Sequence, residues 1–317
     1  MSAATLHAGR NRRISYGNVY SSHCFGEIVV DEFVAFTRLL DALRPWLGHL
    51  VIVGGWAHRL HRFHERAHSP AYAALRTKDA DVAFPTTATI EGDIAAALKA
   101  ADFHEAPSVD HTPPITQYRL GGDGGGFYAE FLVPLHGSVM KRNGKPDITM
   151  AKAGVTAQKV RYLDLLLLEP WAVRLTPDMG LSLQSPIEVM VPNPVSYIAQ
   201  KLLIRKNRGP EKQAQDALYV HDTLELFGAE LPMLRALWSE RVRPTLHGKT
   251  ARSVERFYRQ QFGSVDDVIR SAARMPQDRT IQPERFQATC MYGLEEIFAT
   301  TSESEDTGAE VGRPIGG

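Results

Sequence analysis

Two short apolar segments, each stopped abruptly and separated by a long spacer, constrain this chain more than any other feature. His49–Val53 (HLVIV) is rich in β-branched residues and ends at Gly54–Gly55, which predicts a buried strand turning into a helix over Trp56–Ala67. Ala80–Phe84 (ADVAF) alternates and stops at Pro85, which predicts a second strand. Asp79 and Asp81 stand at i and i+2 there, so both carboxylates point to one face. Two carboxylates that close repel each other unless a cation sits between them, and the hard, oxygen-preferring Mg²⁺ (or Mn²⁺) is the usual solution. Backbone N–H groups at a Gly–Gly turn, backed by the positive end of a helix dipole, suit a phosphate.

A third acid follows on the clearest hairpin of the chain. Ile115–Leu120 and Phe127–Val133 are strand-like, and Gly121, Gly122, Asp123, Gly124, Gly125 and Gly126 between them permit the reversal. Glu130 lies on the face opposite Phe127, Ala129, Phe131 and Val133, and a carboxylate set among apolar neighbours needs a partner. Two acids on one strand and a third on another form a set suited to two-metal phosphoryl transfer.

The remaining pattern surrounds this core. Phe33, Phe36, Leu39, Leu40, Leu43 and Leu47 recur at helical spacing after Asp31, Thr86–Ala101 reads as helix, and Val160–Leu168 and Ile187–Val191 read as strands. Asn193–Pro194 opens a helix with a cap and a first-position proline, and Lys212 to about Ala299 is helical in pattern. The expected class is α+β, a mixed sheet with flanking helices followed by a helical C-terminal domain. The expected boundaries are a mobile N-terminus at 1–22, an α+β domain at 23–192, a helical domain at 193–300 and a disordered tail at 301–317.

Lys plus Arg and Asp plus Glu both number 36, which excludes a binder driven by excess cationic charge but leaves room for a local basic groove. Arg205, Lys206, Arg208 and Lys212 are candidates for one, and Lys201, Arg205 and Arg208 would share a helix face. Two cysteines make no disulfide framework, and no apolar run reaches the roughly 18 residues of a membrane span, so a cytoplasmic protein with no membrane partner is expected. His61, His64 and His68 would line one helix face beside Glu65, and a solvated face is the simpler reading than zinc.

These elements together resemble the nucleotidyltransferase superfamily typified by DNA polymerase beta, kanamycin nucleotidyltransferase and the AbiEii-type toxins. The superfamily signature is an apolar strand, Gly-Gly or Gly-Ser, Asp-x-Asp on the next strand and a third acid later. Gly54–Gly55, Asp79–Ala80–Asp81 and Glu130 match it, and Arg76–Thr77–Lys78–Asp79–Ala80–Asp81 is similar to the Arg-x-Ser/Thr-x-Asp-x-Asp of the AbiEii-like branch. Lys201, Arg205, Arg208, Lys212 and Asp216 look like that branch's second block. The likeness covers roughly residues 49–226. It departs in a spacer of 23 residues between Gly55 and Asp79, and in Trp56 after the second glycine.

The resemblance implies Mg²⁺-dependent transfer of a nucleoside monophosphate from an NTP to a hydroxyl. Asp79, Asp81 and Glu130 would be catalytic and hold metal; Gly54, Gly55, Arg76 and Lys201 would bind the nucleotide, with Arg76 bracing the acids or neutralising the leaving group. Arg205, Arg208 and Lys212 would bind an RNA end or a protein acceptor, the protein acting as a toxin with an antitoxin partner. An acceptor of the small-molecule, antibiotic-modifying type and a catalytically silent nucleotide-binding module are the alternatives, and the presence of all three acids counts against the second.

Overall fold

The computed structural model describes residues 31–108, 115–121, 126–138, 140 and 147–299. The expectations of a mobile 1–22 and a disordered 301–317 lie outside the described residues. α1 (Glu32–Leu43) starts where Asp31 accepts a hydrogen bond from the Phe33 amide, and Pro45 converts its end into a 3-10 turn, Arg44–His49. β1 (Val51–Val53) runs straight into α2 (Gly54–His61), and β2 (Asp79–Ala83) pairs antiparallel with β1.

α3 (Ile94–Ala100) leads to β3 (Phe103–Ser108), then to the hairpin of β4 (Ile115–Leu120) and β5 (Phe127–Pro134), then to β6 (Thr149–Lys152) and β7 (Val155–Val160). A short α4 (Leu163–Leu166), β8 (Trp171–Leu175) and β9 (Ile187–Val191) complete the sheet region. The main path of the nine-stranded sheet is β3-β4-β5-β2-β1-β9-β8. β5 pairs with β4 through its first half and with β7 through its second. Parallel and antiparallel pairs occur together, so the sheet is mixed.

The helical half comprises α5 (Pro194–Ile204), α6 (Pro210–Leu226), α7 (Leu231–Leu237), α8 (Gly248–Phe262), α9 (Asp267–Arg274) and α10 (Pro283–Phe298). It has its own core of Leu202, Leu218, Phe262, Phe286 and Leu294, distinct from the sheet core around Phe36, Trp56, Val82 and Phe131. The α+β class with a helical C-terminal half therefore holds.

Several elements differ from the sequence reading. Val160–Leu168 is not a strand: β7 ends at Val160, and α4 tucks Leu163 and Leu166 against Val51, Val53, Ala83 and Leu132 on one side of the sheet. A short apolar run fits a buried strand or a buried helical turn equally well. The helix expected over Thr86–Ala101 begins only at Ile94, because Asp93 caps it by accepting from the Ala96 amide. The helix after Gly55 stops at His61, nine residues before Pro70.

The long spacer has a structural role. After α2, Arg62–Lys78 crosses to the helical half, where the His68 amide donates to Leu226 O at 2.7 Å, the Ala73 amide donates to Asp278 at 2.6 Å, and the Tyr72 hydroxyl donates to Glu225. The extra length thus ties the sheet to α6 and the α9–α10 connection. Trp56 points into the core and stacks on Phe36 with ring centroids 3.7 Å apart. Its bulk therefore does not obstruct the glycine turn.

Candidate active site

The acids come together because of strand register. On β2, Ala80 and Val82 are wholly buried in the sheet core while Asp79 and Asp81 face the other side. β5 alternates in the same way, and its parallel pairing with β2 sets Asp81 opposite Glu130 and Asp79 opposite Tyr128. β1 flanks β2 on its other side with Val53 opposite Asp81, so Gly54 follows directly beside that carboxylate. Asp79, Asp81, Tyr128, Glu130, Val53 and Gly54 line one cavity of about 610 Å³, bounded by α5 and α6 on the helical side. That size accommodates a nucleotide-sized ligand.

Gly54 has φ +65°, and a Cβ there would stand 2.1 Å from Asp81 Oδ2. Only glycine lets the turn close over the acid. A Cβ at Gly55 would meet the Tyr219 hydroxyl at 2.9 Å and the Thr77 side chain at 3.0 Å. Thr77 hydrogen bonds to Asp79 and fixes its orientation. Burial, then the adjacent Asp79 and Glu130 charges, pushes the Asp81 carboxyl up to about 7. Lys201 and Arg208 act in the opposite direction but do not cancel these effects. Register brings three carboxylates to one cavity face, and carboxylate oxygens are the hard donors that a divalent cation would take.

Lys201 reaches the cavity from α5, where its ammonium lies 2.7 Å from Asp216 Oδ1 on α6 and both residues are buried. Arg208 approaches the other Asp216 oxygen at 3.5 Å. Arg208 and Lys212 line the cavity. Arg205 does not join them, because α5 ends at Ile204 and the chain turns, sending the Arg205 guanidinium to the Phe257 carbonyl at 3.4 Å. The single helix face expected for Lys201, Arg205 and Arg208 is thus broken. Arg76 lies outside the cavity, with an exposed side chain whose Nε donates to Glu32 at 2.9 Å. Thr77, its neighbour, contacts Asp79 instead.

The solvated face expected for His61, His64 and His68 does not form on one helix: α2 ends at His61, which is buried, while beyond it His64 is partly buried and His68 is exposed. His58 and His61 are fully buried, and burial lowers them to about 3 and about 4, so both are neutral. His61 Nε2 contacts the Pro192 carbonyl at 2.8 Å, and His64 stacks on Trp171. Among the described residues the acid-containing group whose donor atoms all lie within 4.8 Å of one another is instead His221, Asp222 and Glu225 on α6, but Arg279 pairs with Asp222 and Tyr72 with Glu225. Protein groups already answer those charges.

Some cavity residues escaped the sequence reading. Tyr197 and Tyr219 form part of the wall near Lys201, and Gln117 on β4 reaches Glu130. The signal for Gln117 is the alternation in ITQYRL, where Gln117 and Arg119 take the face opposite Tyr118 and Leu120.

No helix among the described residues is long and apolar enough to cross a membrane. No curated protein and no solved structure matches the chain. A family model described as nucleotidyltransferase matches residues 31–243, about two thirds of the chain, spanning the glycine turn, all three acids and the Lys201–Asp216 pair. The chain belongs to this nucleotidyltransferase family and is a nucleotidyltransferase enzyme.

Proposed function

We propose that the protein uses Mg²⁺ or Mn²⁺ held by Asp79, Asp81 and Glu130 to move a nucleoside monophosphate from an NTP to the hydroxyl of an RNA end. The observation that carries this reading is the register of β1, β2 and β5, which sets the three acids on one cavity face beside Gly54–Gly55. The bound cation would neutralise the triphosphate and the developing charge at the α-phosphorus.

The chain's own groups divide the remaining work. The Gly54 and Gly55 amides and Lys201 bind the β- and γ-phosphates and stabilise the departing pyrophosphate. The acceptor oxygen attacks the α-phosphorus, the bond to the bridging oxygen of pyrophosphate breaks, and Glu130 receives the hydroxyl proton. Thr77 keeps Asp79 aligned. Arg208 and Lys212 at the cavity support an anionic acceptor, because each offers a cation to a backbone phosphate.

Incubating the protein with each α-labelled NTP and total RNA, with and without EDTA, tests the reading. Metal-dependent label on RNA is expected, and the Asp79→Ala/Asp81→Ala variant should keep its melting temperature while losing the label. Equal transfer by that variant overturns the metal assignment, and label found only on small molecules overturns the RNA acceptor.

A further inference from the structure

Gln117 is the polar group that β4 contributes to the acid cluster. The antiparallel register of β4 and β5 places it across from Glu130, since Tyr118 pairs with Ala129 and Arg119 with Tyr128. Tyr118 and Leu120 are buried in the sheet core, leaving Gln117 and Arg119 on the opposite, cavity-side face. Gln117 is itself buried, and its Nε2 donates to Glu130 Oε1 at 2.7 Å.

Arg119 determines which end of the amide faces the acid. Its Nη2 and Nε donate to Gln117 Oε1 at 2.8 and 3.2 Å. A guanidinium only donates, so the amide oxygen must face Arg119 and the amide NH₂ must face Glu130. The reverse flip would set two donors against each other and a carbonyl against a carboxylate. The intervening amide orients the acid while keeping the guanidinium one residue away.

We propose that Gln117, locked by Arg119, is a positioning residue that holds the Glu130 carboxylate in its metal-binding orientation. The inference rests on the nucleotidyl-transfer reading, in which Glu130 is a metal ligand. Outer groups that orient a ligating carboxylate contribute about 10–100-fold to metal affinity or activity. Arg119 acts through the amide, so its removal should have the smaller effect.

Mn²⁺ titration of the full-length protein in the presence of a non-hydrolysable NTP, followed by electron paramagnetic resonance, tests this independently of turnover. Gln117→Leu should weaken Mn²⁺ binding about 10-fold, Arg119→Met about 3-fold, and Arg119→Lys should remain near wild type. Glu130→Gln should weaken binding as well, and adding Gln117→Leu to it should weaken binding no further, because both changes remove the same contribution. A structural defect would instead lower the melting temperature and add to Glu130→Gln. Wild-type Mn²⁺ affinity in Gln117→Leu and Arg119→Met, or full additivity with Glu130→Gln, overturns the proposal while leaving the metal site intact. Mn²⁺ binding that survives Asp79→Ala/Asp81→Ala unchanged, or fails in the wild type, overturns the parent reading and this inference with it.

Discussion

Gly54 and Asp81 stand so close that a methyl group on the glycine would lie 2.1 Å from the carboxylate oxygen Oδ2. The turn and the acid are therefore one unit: the first can keep its shape only without a side chain, and the second keeps its position only beside that turn. Gly54→Ala should displace Asp81 and also strain the backbone, since φ is +65°. An ångström-scale displacement of reacting groups can cost about 100-fold in rate. The expected result is a loss of about that size in kcat, measured by single-turnover transfer from labelled NTP, with the fold retained. Retention of more than half the wild-type rate would show that Asp81 moves aside without consequence.

The Lys201–Asp216 pair separates structure from chemistry. Both residues are buried and 2.7 Å apart, so removing Asp216 alone leaves an unpaired ammonium in the protein interior. Asp216→Ala should cost about 3–5 kcal/mol by denaturant melts. Lys201→Ala leaves Asp216 facing Arg208 and should be milder in stability, but it should raise the KM for NTP. Lys201→Met combined with Asp216→Leu should recover most of the stability and none of the nucleotide affinity. Recovery of both would remove Lys201 from the phosphate site.

Acid stability reports on the buried histidines. His58 and His61 remain neutral in the fold down to about 3 and about 4, whereas an unfolded histidine takes up a proton near 6.5. The unfolded chain then binds more protons as pH falls below 6.5, so stability is complete above that value and declines below it. Each histidine contributes a slope of about 1.4 kcal/mol per pH unit between pH 6.5 and 4. Asp81 works in the opposite direction in the metal-free protein, because its folded value of about 7 lies above its unfolded one of 3.8. His64, also lowered by burial, adds to the histidine side, and Asp81→Asn should steepen the net slope by about 1.4 kcal/mol per unit. Urea melts across pH 4–6.5 measure both, and an unchanged slope in Asp81→Asn would refute the Asp81 contribution.

The part of the site legible in the sequence is the part fixed by alternation and by glycine. Asp79, Asp81 and Glu130 each break an apolar strand pattern at period two, and register then has little choice but to align them. What was not legible depends on where chains turn. The leucine run after Val160 folds as α4 because its side chains fill a gap against one side of the sheet, which no local pattern announces. The histidines after Trp56 look polar by residue type, yet α2 is sandwiched between the sheet and α6, and tertiary burial overrides that reading. Four strands, β3, β6, β7 and β8, also went unread; β3 contains Pro107, which an edge strand accommodates.

The basic segment after α5 supplies the last test, because the structure splits residues that helical spacing would have grouped. Arg208 and Lys212 line the cavity, while Arg205 is drawn toward the Phe257 carbonyl on α8. Arg208 and Lys212 neutralising phosphates of a polyanionic acceptor would release the cations condensed on that acceptor, so its affinity should fall with salt. Arg208→Ala and Lys212→Ala should each flatten the slope of log affinity against log salt by about 1, without changing NTP affinity more than about twofold. Arg205→Ala should leave that slope alone and instead lower stability by about 1 kcal/mol, since it removes one hydrogen bond between the turn after α5 and α8. Fluorescence anisotropy with a labelled RNA oligonucleotide at four salt concentrations reads all three variants. A slope that drops for Arg205→Ala as much as for Arg208→Ala would route the acceptor over α8. A slope near zero in the wild type would remove the polyanion and leave a small neutral acceptor.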